Sequence, residues 1–108
     1  AFLQWVLFTN SVIEPAMVER FSKITPSPSA HGYGSYESMI ETFHQGLEQS
    51  GGDWILGDRF SAADVLLGTS ADFLMRFGLA ADDRILKSYV DRCAGRPAYQ
   101  RALALEKP

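Results

Sequence analysis

The chain has 108 residues, 46% of them apolar and 21% charged. That is one domain with enough buried surface for a single core, and it excludes both intrinsic disorder and a catalyst that divides cofactor and substrate between two domains. Ten Lys and Arg against thirteen Asp and Glu leave a formal charge of −3, which offers no electrostatic case for nucleic acid or an anionic membrane as partner.

The chain opens on Ala1-Phe2-Leu3-Gln4-Trp5-Val6-Leu7-Phe8, seven apolar residues in eight. A signal peptide would carry a basic leader and a small-residue cleavage site, and neither is present. Thr9, Asn10, Ser11 and Glu14 interrupt the run long before the roughly 20 apolar residues of a membrane span. Phe2, Trp5, Val6, Thr9, Val12, Ile13, Met17, Phe21 and Ile24 recur at helical spacing, so residues 2–24 are predicted helical. Pro15 lacks a backbone donor and is expected to kink or divide that helix near residues 11–14. Residues 25–35, with Pro26, Pro28, Gly32 and Gly34, form the clearest loop.

The next helix spans about 36–50, with Tyr36, Met39, Ile40, Phe43 and Leu47 on one stripe and Gly51-Gly52 as its stop. Trp54-Ile55-Leu56-Gly57 is a short apolar run, assigned neither to strand nor to turn, that anchors against the helices. Ser61-Ala62-Ala63-Asp64 then reads as a capping box. Ser61 is the N-cap and accepts from the Asp64 amide, Asp64 accepts from the Ser61 amide, and Phe60 and Val65 occupy the staple positions. Onward to Leu79 this helix is apolar nearly all round, which predicts a central, buried position, with Asp72 and Arg76 paired on its polar strip. A fourth helix is expected over 82–93, with Ile85, Leu86, Tyr89, Val90 and Cys93 inward. Gly95 ends it, and Pro97 opens a short last helix with contacts from Ala98, Tyr99, Ala102, Leu103 and Leu105. The fold expected is all-α, a bundle of about five helices around a buried central one.

The residues display no complete active site. His31 and His44 have no partner at metal-ligand spacing, and surface or packing roles suffice for both. Cys93 is the single cysteine, so no disulfide forms within the chain, and its spacing from Tyr89 and Val90 makes it a buried thiol rather than a nucleophile. Gly32-Tyr33-Gly34 lacks the third glycine and preceding strand of a dinucleotide site. Local capping accounts for Ser61 and Asp64.

The segment Trp54-Ile55-Leu56-Gly57-Asp58-Arg59-Phe60-Ser61-Ala62-Ala63-Asp64-Val65-Leu66-Leu67 resembles the entry to the central helix of glutathione S-transferase C-terminal domains. Residues 89–102, from Tyr89-Val90-Asp91-Arg92 to Tyr99-Gln100-Arg101-Ala102, resemble that domain's closing helices. Trp5 to Pro15, with Phe8 and Ile13-Glu14-Pro15, is similar to the first helix after the family's interdomain linker. The resemblance implies a single domain over 1–108 that is the second half of a two-domain cytoplasmic enzyme. The absent half is a thioredoxin-like domain that binds glutathione, the co-substrate, and supplies the Ser, Tyr or Cys that activates its thiol. It also implies that the isolated chain is inactive, carries no catalytic residue and needs no metal. The full protein would conjugate glutathione to small hydrophobic electrophiles and pair as a two-fold homodimer. Trp5, Phe8, Ser11, Val12 and Pro15 on the first helix are the implied substrate-binding residues. A non-catalytic helical interaction module of the same fold is the alternative.

Overall fold

A computed structural model describes residues 1–24, 34–80 and 82–106. Residues 25–33 of the expected loop, with His31 and most of the Gly32-Tyr33-Gly34 run, lie outside those residues. The described residues form six α-helices and no strand: α1 (Phe2–Phe8), α2 (Glu14–Ser22), α3 (Tyr36–Gln49), α4 (Ala62–Arg76), α5 (Arg84–Ala94) and α6 (Pro97–Glu106). Between α1 and α2 the backbone stays helical through a π turn, Thr9–Ile13. Pro15 explains why a wider turn is tolerated there. Its ring cannot donate to the fourth residue back and crowds that residue's carbonyl. The amide of Glu14 bonds instead to the carbonyl of Thr9, five residues back, and Pro15 falls in the first turn of α2. The break expected near 11–14 is therefore a change of helical pitch within one continuous rod.

The helix ends follow local chemistry. Lys23 takes a left-handed conformation and stops α2. Ser35 caps α3 with a box in which serine replaces the usual Glu or Gln: its Oγ accepts from the Ser38 amide, and Ser38 Oγ accepts from the Ser35 amide. Trp54 and Gly57 exchange both backbone hydrogen bonds, at 3.0 and 2.9 Å, so the short apolar run is a tight turn. Gly57 sits there at φ 97°, a conformation that a side chain would strain. Asp83 caps α5 by accepting from the Leu86 amide and also meets His44 Nε2, which ties α3 to the start of α5.

Packing centres on α4, which lies against α1, the π turn and α5, while α3 bridges α2, the π turn and α5. Ala63, Leu67, Ala71 and Leu74 of α4 are fully buried, together with Ile13, Phe43, Leu86 and Tyr89. A chain of edge-to-face rings runs through this core from Trp5 to Phe8, then Phe43, then Tyr89, with centroids 5.1, 6.1 and 6.0 Å apart. Arg20 stacks over the Tyr36 ring and pairs with Glu37 at 2.6 Å, while the Tyr36 hydroxyl donates to the Leu79 carbonyl. These contacts join α2, the start of α3 and the exit of α4.

Close packing of Trp5 depends on Gly46 of α3, where a Cβ would stand 2.3 Å from the indole. Gly46→Ala is therefore expected to destabilise by about 1–3 kcal/mol through overpacking, despite a helix-propensity gain of up to about 1 kcal/mol. Urea unfolding checks it: the midpoint should fall, and a raised midpoint would show that the indole has room to move.

Two expectations are corrected. The last helix has no buried residue, and its Leu105 is almost fully exposed, because it lies at the edge of the bundle against α5. The central helix is buried on one side rather than all round: Val65, Leu66, Phe73 and Phe77 are exposed. On the helical repeat of residues 2–24, Phe21 and Ile24 are exposed as well. The described helices cover α4 from α1, the π turn and α5, and leave its remaining flank open.

Candidate functional site

The open flank of α4 faces α2 across a groove of about 440 Å³. Glu14, Met17, Val18 and Phe21 line it from α2, and Thr69, Ser70 and Phe73 from α4. Helical spacing assembles each wall: Glu14, Val18 and Phe21 follow i, i+4, i+7, and Ser70 and Phe73 follow i, i+3, with Phe77 four residues further on. Phe77 closes one end, its ring edge-on to Phe21 at 5.9 Å and tilted against Phe73 at 4.3 Å. All three rings remain about half exposed, at 50% for Phe21, 43% for Phe73 and 55% for Phe77. Soluble domains rarely leave clustered aromatic surface of this kind open unless it meets a ligand or another chain.

The five residues implied by the resemblance lie elsewhere on the same rod, and none of them lines this groove. Trp5 and Phe8 are core residues in the ring chain described above. Ser11 is exposed, and Val12 and Pro15 are half-buried, all at or beside the π turn. Sequence reasoning missed the groove residues because Met17, Phe21 and Phe73 are indistinguishable from core positions until the neighbouring helix is placed. The buried hydroxyl of Thr9, in the π turn, finds no hydrogen-bond partner among the described residues.

The capping box has formed and does more than cap. Ser61 Oγ accepts from the Asp64 amide, as expected, and also from the Ala63 amide at 3.2 Å, and Asp64 Oδ2 accepts from the Ser61 amide at 3.0 Å. The other carboxyl oxygen, Oδ1, accepts from the Ile55 amide at 2.9 Å and from the Tyr89 hydroxyl at 2.6 Å. Asp64 is fully buried, so one side chain joins the 54–57 turn, the start of α4 and the middle of α5. Burial and the adjoining carboxyl of Asp64 drive the Tyr89 pKa far above that of a free phenol, so the hydroxyl stays a donor.

Three polar side chains of the core, Tyr36, Tyr89 and Cys93, are committed to the fold. The hydroxyls of Tyr89 and Tyr36 are occupied, and Cys93 is buried with its thiol pushed up to about 11, chiefly by burial and next by Asp64. Among the described residues no three His, Cys, Asp or Glu side chains converge on a metal position. No helix among them is long and apolar enough to cross a membrane.

The raised Cys93 pKa has a measurable consequence. The unfolded thiol ionises near 9.0 and the folded one near 11, so its contribution to stability is complete below pH 9 and is lost as pH rises towards 11. A tenfold change in the ionisation constant is worth about 1.4 kcal/mol, which bounds the loss at about 2–3 kcal/mol. Cys93→Ala should be about 1 kcal/mol less stable at neutral pH and show a flatter decline between pH 9 and 11. Urea titrations across that range check it, and parallel declines would assign the alkaline loss to other groups.

The family model described as glutathione S-transferase, C-terminal domain, matches residues 37–97, more than half of the chain. No curated protein and no solved structure matches it. The matched stretch contains nearly all of α3, the 54–57 turn, the Ser61–Asp64 box, α4 and α5. The all-helical architecture around α4 agrees with that match, and the chain belongs to the glutathione S-transferase C-terminal domain family.

Proposed function

We propose that this domain is the electrophile side of a glutathione transferase. A thioredoxin-like domain of the same protein would bind glutathione and activate its thiol. The observation that carries the reading is the open aromatic groove between α2 and α4. Its volume suits a small-molecule site, and its lining is apolar apart from Glu14 and two hydroxyls. Such walls hold a carbon skeleton through burial, at roughly 25 cal/mol per Å² removed from water, and leave the polar chemistry to another domain. Commitment of Tyr36, Tyr89 and Cys93 to packing and hydrogen bonds supports that division of labour. Exposed Leu3 and Leu7 of α1 and Leu66 of α4 offer further apolar surface for the partner domain. Ser11, Val12 and Pro15 would meet only the part of an electrophile that extends out of the groove towards the π turn, with Trp5 and Phe8 bracing the rod from the core side.

The test uses the complete reading frame that encodes this chain, assayed for conjugation of glutathione to an aryl chloride bearing two nitro groups. Conjugate formation that weakens on Phe73→Ser is the expected result. A complete protein that binds no glutathione would defeat the reading.

A further inference from the structure

We propose that the α2–α4 groove selects a flat aromatic group bearing a hydrogen-bond donor or a positive charge, and discriminates against the same skeleton bearing an anion. The inference rests on the substrate-side reading and adds the chemical class that the groove accepts.

Shape comes from the rings. Phe21 and Phe73 form opposite walls, and Phe77 touches both, edge-on to the first and tilted to the second. A planar aromatic guest adds an offset or edge-to-face contact to this cluster, an arrangement worth more than its buried area alone. An aliphatic guest of equal size gains only the area.

Charge comes from Glu14. It is the single ionisable residue in the lining, on the first turn of α2, and its side chain makes no ion pair or hydrogen bond among the described residues. The arginines of the two flanking helices are engaged elsewhere: Arg20 of α2 holds Glu37 and stacks on Tyr36, and Arg76 of α4 is bound to Asp72 at 2.7 Å. Thr69 spends its proton on the Val65 carbonyl at 2.7 Å, so towards the groove its oxygen acts as an acceptor. The polar lining thus presents a carboxylate, the accepting oxygen of Thr69 and the Ser70 hydroxyl, with net negative charge. That pattern suits an ammonium, amine or hydroxyl substituent and repels a carboxylate or sulfonate.

Three probes sharing one ring system test this: 2-naphthylmethylamine, 2-naphthylmethanol and 2-naphthoate, titrated against the chain by NMR at low salt. The expected order of affinity is amine, then alcohol, then carboxylate, with adjacent members about two- to fivefold apart, as for a solvent-accessible charge pair. The chemical-shift changes should map to α2 and α4. Glu14→Gln should bring the amine to the level of the alcohol while leaving the alcohol within about twofold, and Phe73→Ser should weaken all three about two- to tenfold. Naphthoate binding as tightly as the amine, or an order untouched by Glu14→Gln, overturns the proposal. Failure of the underlying reading looks different: the charge order would persist while the complete protein neither binds nor conjugates glutathione.

Discussion

Asp64→Ala is expected to lower the unfolding free energy by about 3–5 kcal/mol, well beyond the roughly 1 kcal/mol that loss of a helix cap costs. The carboxyl group receives three donors, the amides of Ser61 and Ile55 and the hydroxyl of Tyr89, and it is fully buried. Alanine leaves these groups in a buried site without the carboxylate, and the Tyr89 oxygen can accept from at most part of them. A domain of this size has only about 5–15 kcal/mol of stability, so the variant should unfold at much lower denaturant. Asp64→Asn should fall between the two. Its oxygen can replace Oδ1 for Ile55 and Tyr89, but its amide then faces the Ser61 amide, donor against donor. Tyr89→Phe removes one of the three donors, so the double variant with Asp64→Ala should be less destabilised than the sum, by about 1 kcal/mol or more. A strictly additive pair would show that the hydrogen bond between α4 and α5 contributes little. Urea denaturation of the parent, the two single variants and the double variant closes the cycle.

Phe43→Ala carries the second large effect, a loss of about 3–5 kcal/mol. Phe43 lies on α3 with no solvent exposure, between the rings of Phe8 and Tyr89. Removing it opens a cavity where α3, the α1 rod and α5 meet, and none of these can close in while the α4 contacts hold. Phe43→Leu should recover more than half of the loss, because it restores most of the volume without the edge-to-face contacts. Groove substitutions give the contrast. Phe77→Gln should cost under about 1 kcal/mol, since its ring is already half in water. Equal losses from Phe43→Ala and Phe77→Gln would contradict the assignment of one to the core and the other to an open face.

The two phenylalanines show what is legible in the chain. Both sit on apolar helical stripes, Phe43 on Tyr36-Met39-Ile40-Phe43-Leu47 and Phe77 on Leu66-Ser70-Phe73-Phe77. Periodicity marks a face as apolar and is silent on whether another helix covers it. The first stripe meets α1, the π turn and α5, and the second meets an open groove. The same limit explains why an all-round apolar pattern does not wrap α4 on every side, and why the stripe of α6 buries nothing.

Glu14 makes the point for the polar residues of the groove. As a sequence position it is one solvated carboxylate beside a proline, and it gains meaning only from the ring wall that α4 places opposite. Asp64 is half legible. Its bond to the Ser61 amide spans three residues and is set by helix geometry, whereas its bonds to Ile55 and Tyr89 span nine and twenty-five.

That range of separations divides what the sequence by itself determined from what only the tertiary structure decided. Helix starts and stops, the Ser61–Asp64 box, the break caused by Pro15 and the all-helical class follow from interactions within about one helical turn, where backbone geometry leaves a side chain few partners. The resemblance to the family rests on the same local signals, and the match over residues 37–97 agrees with it. The joining of α4 to α5 through Asp64, the burial of Phe43 and the groove beside Phe73 depend on helices far apart in the chain. Their contacts arise from the packing of whole faces, and no short stretch of residues specifies which face is left open.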